Sequence, residues 1–163
     1  MKKMLLLLVP LFLIANSKSF GREPDLLSLA ALTAGETTQE QITAMFGKPE
    51  KIEDNKKTIS WYYTTDDNSV VLLWNKKSEQ FIKCSFTSKP CEKMTFDPRI
   101  SRKLRSGSTD LTQTLALLGT PEDMTIKESK QEVHYSYQNN VLRLFFRDRV
   151  LVDYTLLGRG PGY

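Results

Sequence analysis

The residue types that could support covalent catalysis are few in this chain. His134 is the one histidine of the sequence, and Ser136, two residues further on, is the nearest serine. A hydrolytic triad needs a nucleophile beside a base and an acid that orients the base, and no nucleophile-elbow sequence surrounds Ser136. We therefore predict that the protein is not an enzyme and that His134 lies on an exposed strand. An enzyme is the minor alternative, which a deep polar pocket around His134 would favour.

The two cysteines, Cys84 and Cys91, are predicted to form a disulfide. An even number of cysteines favours a disulfide in an exported chain, and the N-terminal segment predicts export. A metal site is not expected, because two cysteines and one distant histidine do not supply four ligands. Free thiols are the alternative. The string Gly119-Thr120-Pro121 is typical of a helix end rather than of a nucleotide-binding loop, and no cofactor is predicted.

Residues 1–17 have the pattern of a secretory signal peptide. Lys2 and Lys3 precede the apolar run Leu5–Ile14, which is too short to span a bilayer and is followed by small residues. Cleavage would leave Lys18 first, with a second small-residue site two positions further on. An uncleaved membrane anchor is the alternative. We predict a periplasmic or secreted location and no transmembrane segment in the mature chain.

The charge pattern argues against nucleic acid as a partner. The formal net charge of the whole sequence is +4, and cleavage of the leader removes Lys2 and Lys3. The other basic residues occur singly or in pairs among acidic ones, without the basic stripe that a phosphate backbone would require. We expect a protein partner instead, and a monomeric mature chain.

An internal repeat organises the elements that carry these residues. Residues 32–50 and 104–122 match at a constant offset of 72, with Leu, Gly, Thr, Gly, Pro and Glu recurring in register. Each segment predicts a short helix that begins at Thr37 or Thr109 and ends at Gly47 or Gly119. In the first copy Glu40 would complete a capping box, whereas the second copy has Thr112 there and a weaker cap.

Strand-like segments follow each helix, and a shorter amphipathic helix precedes it. Alternation and turn residues predict the following strands: Glu50–Asp54, Thr58–Thr64, Val70–Trp74, Gln80–Phe86, Asp123–Glu128, Glu132–Gln138, Val141–Phe146 and Arg149–Leu157. The first helices are expected at Asp25–Leu32 and Pro98–Leu104. The predicted organisation is a signal peptide (1–17), repeat one (24–86), a linker (87–97), repeat two (98–157) and a flexible tail (158–163).

Alternation along the strands also predicts one face that carries large side chains outward. Successive strand residues point to opposite sides, and Arg143, Lys83 and Asp153 mark the solvent side. Clustered aromatic and Arg side chains on such a face are typical of a protein-binding surface. If one strand faced the other way, its members would instead belong to the core. The predicted partner-binding residues are Tyr62, Leu72, Trp74, Phe81, His134, Arg143 and Phe145.

The repeated Leu-x-x-Gly-x-Thr…Gly-x-Pro pattern, followed by the aromatic strand Trp61-Tyr62-Tyr63 and a hairpin, resembles the SmpA/OmlA-like (BamE-like) and β-lactamase-inhibitor-protein-like superfamily. The resemblance covers Leu26–Leu157. It implies an α+β fold in which two tandem helix-loop-helix units pack on one face of a curved antiparallel sheet. It also implies that the concave face of the sheet binds a protein partner, with inhibition as one form that this binding could take. The alternative function is that of the single-copy relatives, which are envelope and outer-membrane assembly factors.

Overall fold

The computed structural model describes residues 24–89, 98–137 and 140–158, which adopt an α+β fold. The predicted signal peptide, Cys91 and most of the predicted tail lie outside these ranges. The helices are α1 (Leu26–Ala30), α2 (Gln39–Phe46), a 3-10 helix (Pro98–Lys103) and α3 (Leu111–Leu118). The strands are β1 (Lys51–Asp54), β2 (Thr58–Thr64), β3 (Asn68–Asn75), β4 (Phe81–Ser88), β5 (Asp123–Lys127), β6 (Lys130–Tyr137), β7 (Asn140–Arg147) and β8 (Val150–Leu157).

The strands form one open antiparallel sheet in which each strand pairs with the next along the chain. The sheet continues across the junction of the two halves, because Lys83–Thr87 of β4 pairs with Asp123–Lys127 of β5. Its two edges are β1 and β8. The predicted single antiparallel sheet is thereby confirmed, whereas the origin of the two halves by duplication stays a prediction.

One apolar core fills the space between the helices and one side of the sheet. Trp74 lies at its centre in the first half, with its ring centroid 5.4 Å from that of Trp61 and 5.4 Å from that of Phe81. Phe46 at the end of α2 meets Tyr63 edge-on at 6.0 Å. Large rings in such tilted contacts contribute most of the buried apolar area of a small core.

The helix starts lie one residue later than predicted. Thr38 and Asp110 are the N-caps, and each forms a complete capping box, with Gln41 and Gln113 respectively. The prediction of Thr37 and Thr109 as caps, with Glu40 in a box and a weaker second cap, was therefore wrong. The hydroxyls of those two threonines instead accept hydrogen bonds from the amides of Thr33 (2.9 Å) and Arg105 (2.8 Å), which closes the turn before each helix.

The helix ends are as predicted. Gly47 and Gly119 are the C-caps, with φ of 78° and 79° and ψ of −164° and −155°, a positive-φ extended backbone that is essentially restricted to glycine. The carbonyl of each glycine accepts a hydrogen bond from a buried strand tyrosine, Tyr63 at 3.1 Å and Tyr135 at 3.0 Å. These bonds fix each helix end to the sheet. No helix in the described ranges is long and apolar enough to cross a membrane.

Candidate partner-binding face

The side of the sheet opposite the helices is the candidate site, and we call it the outer face. One row of directly opposed residues crosses it from β1 to β8 and shows its mixed character. From edge to edge this row is Lys51, Tyr62, Val71, Ser85, Thr125, Glu132, Phe145 and Asp153. Its central members are half-buried by their neighbours, so the face offers contact area rather than a deep cleft.

Three of the predicted binding residues do not lie on the outer face. Leu72 and Trp74 have no exposed surface and Phe81 has 2%, because all three point into the core beneath the helices. Their assignment to a binding surface was therefore wrong. Val71 and Leu73 occupy the outer face of β3 instead, and both are half-buried.

The error has two physical causes. At the 72-residue spacing, Arg143 of β7 corresponds to Val71, so Leu72 and Trp74 belong with the inward residues of that strand. On β4 the register shifts: Leu73 pairs with Lys83 while Trp74 pairs with Phe81, which leaves Ile82 as an extra residue. Such a bulge puts two successive residues on one side, so strict alternation from Lys83 gives Phe81 the wrong side.

The other four predicted residues, Tyr62, His134, Arg143 and Phe145, do lie on the outer face. His134 is directly opposite Arg143, and Phe145 follows two residues later on the same strand as Arg143. Tyr62 is five strands from Phe145 along the same row, which corresponds to about 24 Å at the usual strand spacing. The structure thus separates Tyr62 from a cluster on β6 and β7.

Tyr62 is held in place by its neighbours on β1. Its hydroxyl donates to Glu53 Oε2 at 2.6 Å, and Lys51 Nζ lies 2.6 Å from Glu53 Oε1 and 5.3 Å from the centre of the Tyr62 ring. The hydrogen bond from Lys51 lowers the pKa of Glu53, and the bond to Glu53 raises the pKa of Tyr62. The side chains of Lys51 and Glu53 are 64% and 41% exposed, so the network orients the Tyr62 ring more than it stabilises the fold.

His134 has a structural partner and no catalytic one among the described residues. Its Nε2 lies 2.7 Å from Glu132 Oε1 on the same face of β6. Ser136 is on that strand too, but the described residues show no hydrogen bond between it and His134. No group of three or more His, Cys, Asp or Glu side chains within the described ranges is placed to bind a metal.

A basic row on the outer face was missed by sequence reasoning. Lys83, Lys127, Lys130 and Arg147 lie directly opposite one another on β4, β5, β6 and β7. We call these four residues the basic row. Like charges opposite each other in a sheet are destabilising, and none of the four forms an ion pair with another described residue. They are scattered in the sequence, so only the strand register reveals the row.

A surface pocket of about 310 Å³ adjoins the basic row. Its lining combines Phe145 and Val152 with three cations, Lys127, Lys130 and Arg147, and one carboxylate, Glu132, which lies 2.7 Å from His134 Nε2. The cations outnumber the carboxylate, so the pocket suits a partner side chain that combines a carbon stem or ring with a negative group.

Cys84 is completely buried on the inward side of β4. Burial raises the pKa of its thiol to about 12, so the thiol stays protonated at neutral pH and is no nucleophile there. Since Cys91 lies outside the described residues, the Cys84–Cys91 disulfide stays a prediction.

Comparison with known proteins supports the fold. No family model and no curated protein matches the chain. A solved structure from Streptococcus mutans, named a putative β-lactamase inhibitor protein, is similar at a TM-score of 0.51 and 15% identity, covering 80% of this chain and 93% of that one. A Bacillus subtilis protein of the DUF4309 family matches at 14% identity over 78% of this chain and 82% of its own, but with a TM-score of 0.30. The chain has a β-lactamase-inhibitor-protein-like fold.

Proposed function

We propose that this chain is an exported, non-enzymatic binding module that holds a protein partner on the outer face of its sheet. The observation that carries the proposal is the basic row beside the pocket whose lining includes Phe145 and Val152. Sequences rarely keep opposed like charges where nothing in the fold needs them, and such local conflicts are typical of functional surfaces.

The chemistry of this surface indicates an acidic partner surface. Four cations that form no ion pair with a described residue attract carboxylates over several ångströms, and Arg147 can hold one carboxylate with two parallel hydrogen bonds. His134, Arg143 and Phe145 extend the surface toward the other end of β6 and β7. Aromatic and Arg side chains are the types that contribute most binding energy in protein interfaces. Tyr62 would form a separate contact on the first half.

The fold match favours inhibition as the form that binding takes. The Streptococcus mutans structure carries the name of an inhibitor protein. The resemblance to SmpA/OmlA-like proteins supports a second candidate, an envelope assembly factor. The partner distinguishes the two: a soluble enzyme fits an inhibitor, and a membrane complex fits an assembly factor.

The test is affinity capture from secreted and envelope fractions with matched charge variants. Lys127→Glu/Arg147→Glu reverses two members of the basic row, and Lys48→Glu/Lys103→Glu makes the same charge change at exposed sites off the strands. We expect the partner to be lost from the first variant and retained by the second. The first variant should melt no lower than the wild type, because it alternates the charges along a row in which like charges were opposed. Equal capture by both variants would contradict the proposal.

A further inference from the structure

The last strand, β8, has an open edge where the corresponding strand of the first half is covered. β4 pairs with β3 on one side and, through Lys83–Thr87, with β5 on the other. β8 pairs with β7, and along Asp153–Leu157 no described strand lies on its other side. An open strand presents unpaired backbone N–H and C=O groups that can bond to another strand.

The open part of β8 is bounded by the loop before α3. Ser106 Oγ donates to the carbonyl of Val152 at 2.7 Å, and the amide of Gly107 donates to the carbonyl of Leu151 at 2.8 Å. These bonds cover the start of the strand. The exposed edge is therefore Asp153–Leu157, and we call this segment the open edge.

The open edge is apolar to an unusual degree for exposed β-structure. Tyr154 is 40% exposed, Leu156 41% and Leu157 51%, and Val152 next to the segment is 46% exposed. Natural edge strands are normally protected by charges, by proline or by being short. β1, the other edge, follows that rule, because it has four residues and three of them are charged.

We propose that the open edge pairs with the same segment of a second copy of this chain, as an antiparallel two-fold dimer centred on Thr155. This register places Tyr154 opposite Leu156 of the partner subunit, both on the helix side of the sheet, and Asp153 opposite Leu157 of the partner subunit on the outer side, where the carboxylate stays open to solvent. The partner strand would cover Tyr154 and Leu156 in the same way that Ile126 and Met124 of β5 cover the corresponding residues of β4, Cys84 and Phe86. Two-fold pairing of identical patches is the commonest way in which soluble chains associate.

The alternative pairing of β8 with β1 of a second copy is less complementary. If it copied the β4–β5 register, Leu156 would meet Ile52 of the partner subunit, but Tyr154 would lie opposite Asp54 of the partner subunit and Thr155 opposite Glu53 of the partner subunit. That arrangement would bury a carboxylate beside the Tyr154 ring and would continue as an open chain of subunits. The two-fold dimer closes on itself and replaces the monomer expected from the sequence.

Two measurements on the processed chain test this proposal. The first is its mass by sedimentation from about 1 µM to 1 mM, a range that detects even a weak dimer. We expect the mass to double with concentration, Leu156→Lys to keep the mass of one chain, and Ile52→Lys on the β1 edge to behave as the wild type. A wild type that stays monomeric would overturn the proposal. The proposal would also be overturned if the wild type formed assemblies larger than a dimer, or if Ile52→Lys no longer associated.

The second measurement is oxidation of Thr155→Cys. Opposed Cα atoms in an antiparallel pair are about 4.5–5.5 Å apart, within the range of a disulfide, so the two-fold register predicts a covalent dimer on a non-reducing gel. The wild type, treated identically, controls for Cys84 and Cys91. In the head-to-tail arrangement Thr155 never meets itself, so absence of this cross-link in a chain that dimerises would overturn the proposed register. The proposal is independent of the partner-binding function.

Discussion

The two halves of the molecule place equivalent residues in different environments. Cys84 and Phe86 of β4 are buried, while Tyr154 and Leu156, at the matching positions after the same kind of bulge in β8, are about 40% exposed. The local sequence pattern is alike in both strands. What differs is the next element: β5 continues the sheet beyond β4, and no described strand continues it beyond β8. Position in the sheet, rather than side-chain type, decides which apolar residues are available for contact.

The outer face differs between the halves as well. In the first half it carries Tyr62, Val71 and Leu73. The second half adds His134, Arg143 and Phe145, and the basic row begins at the junction and runs into it. Positive charge is therefore concentrated in the second half, which is where we place the main contact with a partner.

The largest change in stability is expected from substitution of Trp74, which the structure places in the core of the first half. Trp74→Ala should lower the free energy of unfolding by about 3–5 kcal/mol, because it opens a cavity between Trp61 and Phe81. Trp74→Phe should cost clearly less, since it keeps a ring and removes an indole N–H that has no partner among the described residues. Chemical denaturation measures both. If Trp74→Ala lowers the free energy of unfolding by less than about 1 kcal/mol, Trp74 is not buried in the core and the structure is contradicted.

A second prediction compares the tyrosines that tie the helix ends to the sheet. Tyr63→Phe and Tyr135→Phe should each cost about 1 kcal/mol at neutral pH, because each removes a hydrogen bond to a glycine carbonyl. Burial raises the pKa of Tyr63 to about 12 and raises that of Tyr135 as well. Tyrosine in the unfolded chain ionises near pH 10. The contribution of each buried hydroxyl to the free energy of unfolding is therefore fully present below that pH, and it is lost as the pH rises through the folded-state pKa.

The pH dependence provides the check on this pair. Denaturation curves from pH 8 to about pH 12 should show a shallower alkaline loss of stability in the double variant than in the wild type. The same slope in both proteins would mean that neither hydroxyl is buried. A difference confined to one single variant would mean that only one half ties its helix end in this way.

A smaller effect concerns the helix starts. Asp110→Ala and Thr38→Ala should each reduce stability by about 1 kcal/mol, and the aspartate should matter more. Its bond to the N3 amide is shorter, 2.7 Å against 3.3 Å, and its charge interacts favourably with the helix N-terminus. Thermal denaturation of the two variants side by side decides this. A larger effect of Thr37→Ala or Thr109→Ala on helix content would contradict the observed caps.

The sequence predicted the positions of those elements whose ends or facing depend on neighbouring residues. The helix ends at Gly47 and Gly119 follow from glycine followed by proline, and the outward facing of Arg143 and Phe145 follows from alternation on an unbroken strand. The caps were misplaced by one residue because Thr37 and Glu40 have the same capping-box spacing as Thr38 and Gln41, and the pattern does not show that the Thr37 hydroxyl closes the preceding turn. In the second half Asp110 and Gln113 have that spacing, and the alignment of Thr109 with Thr37 obscured it. Local signals thus locate elements better than they locate side-chain partners.

The candidate site depended more on information that a single sequence does not carry. Phe81 was misplaced because the bulge at Ile82 has no clear local signature, and one extra residue reverses the side on which every earlier residue lies. The basic row was invisible because its members come from four strands whose register is set by pairing across the junction. Both features are properties of the assembled sheet.

The most direct measurement of the central claim is acetylation footprinting of lysines, read by mass spectrometry, on the chain alone and with its captured partner. Binding through the outer face of the second half predicts that Lys83, Lys127 and Lys130 become less reactive in the complex, while Lys48 and Lys103 keep their reactivity. Protection of Lys48 and Lys103 with an unchanged basic row would show that the partner binds elsewhere.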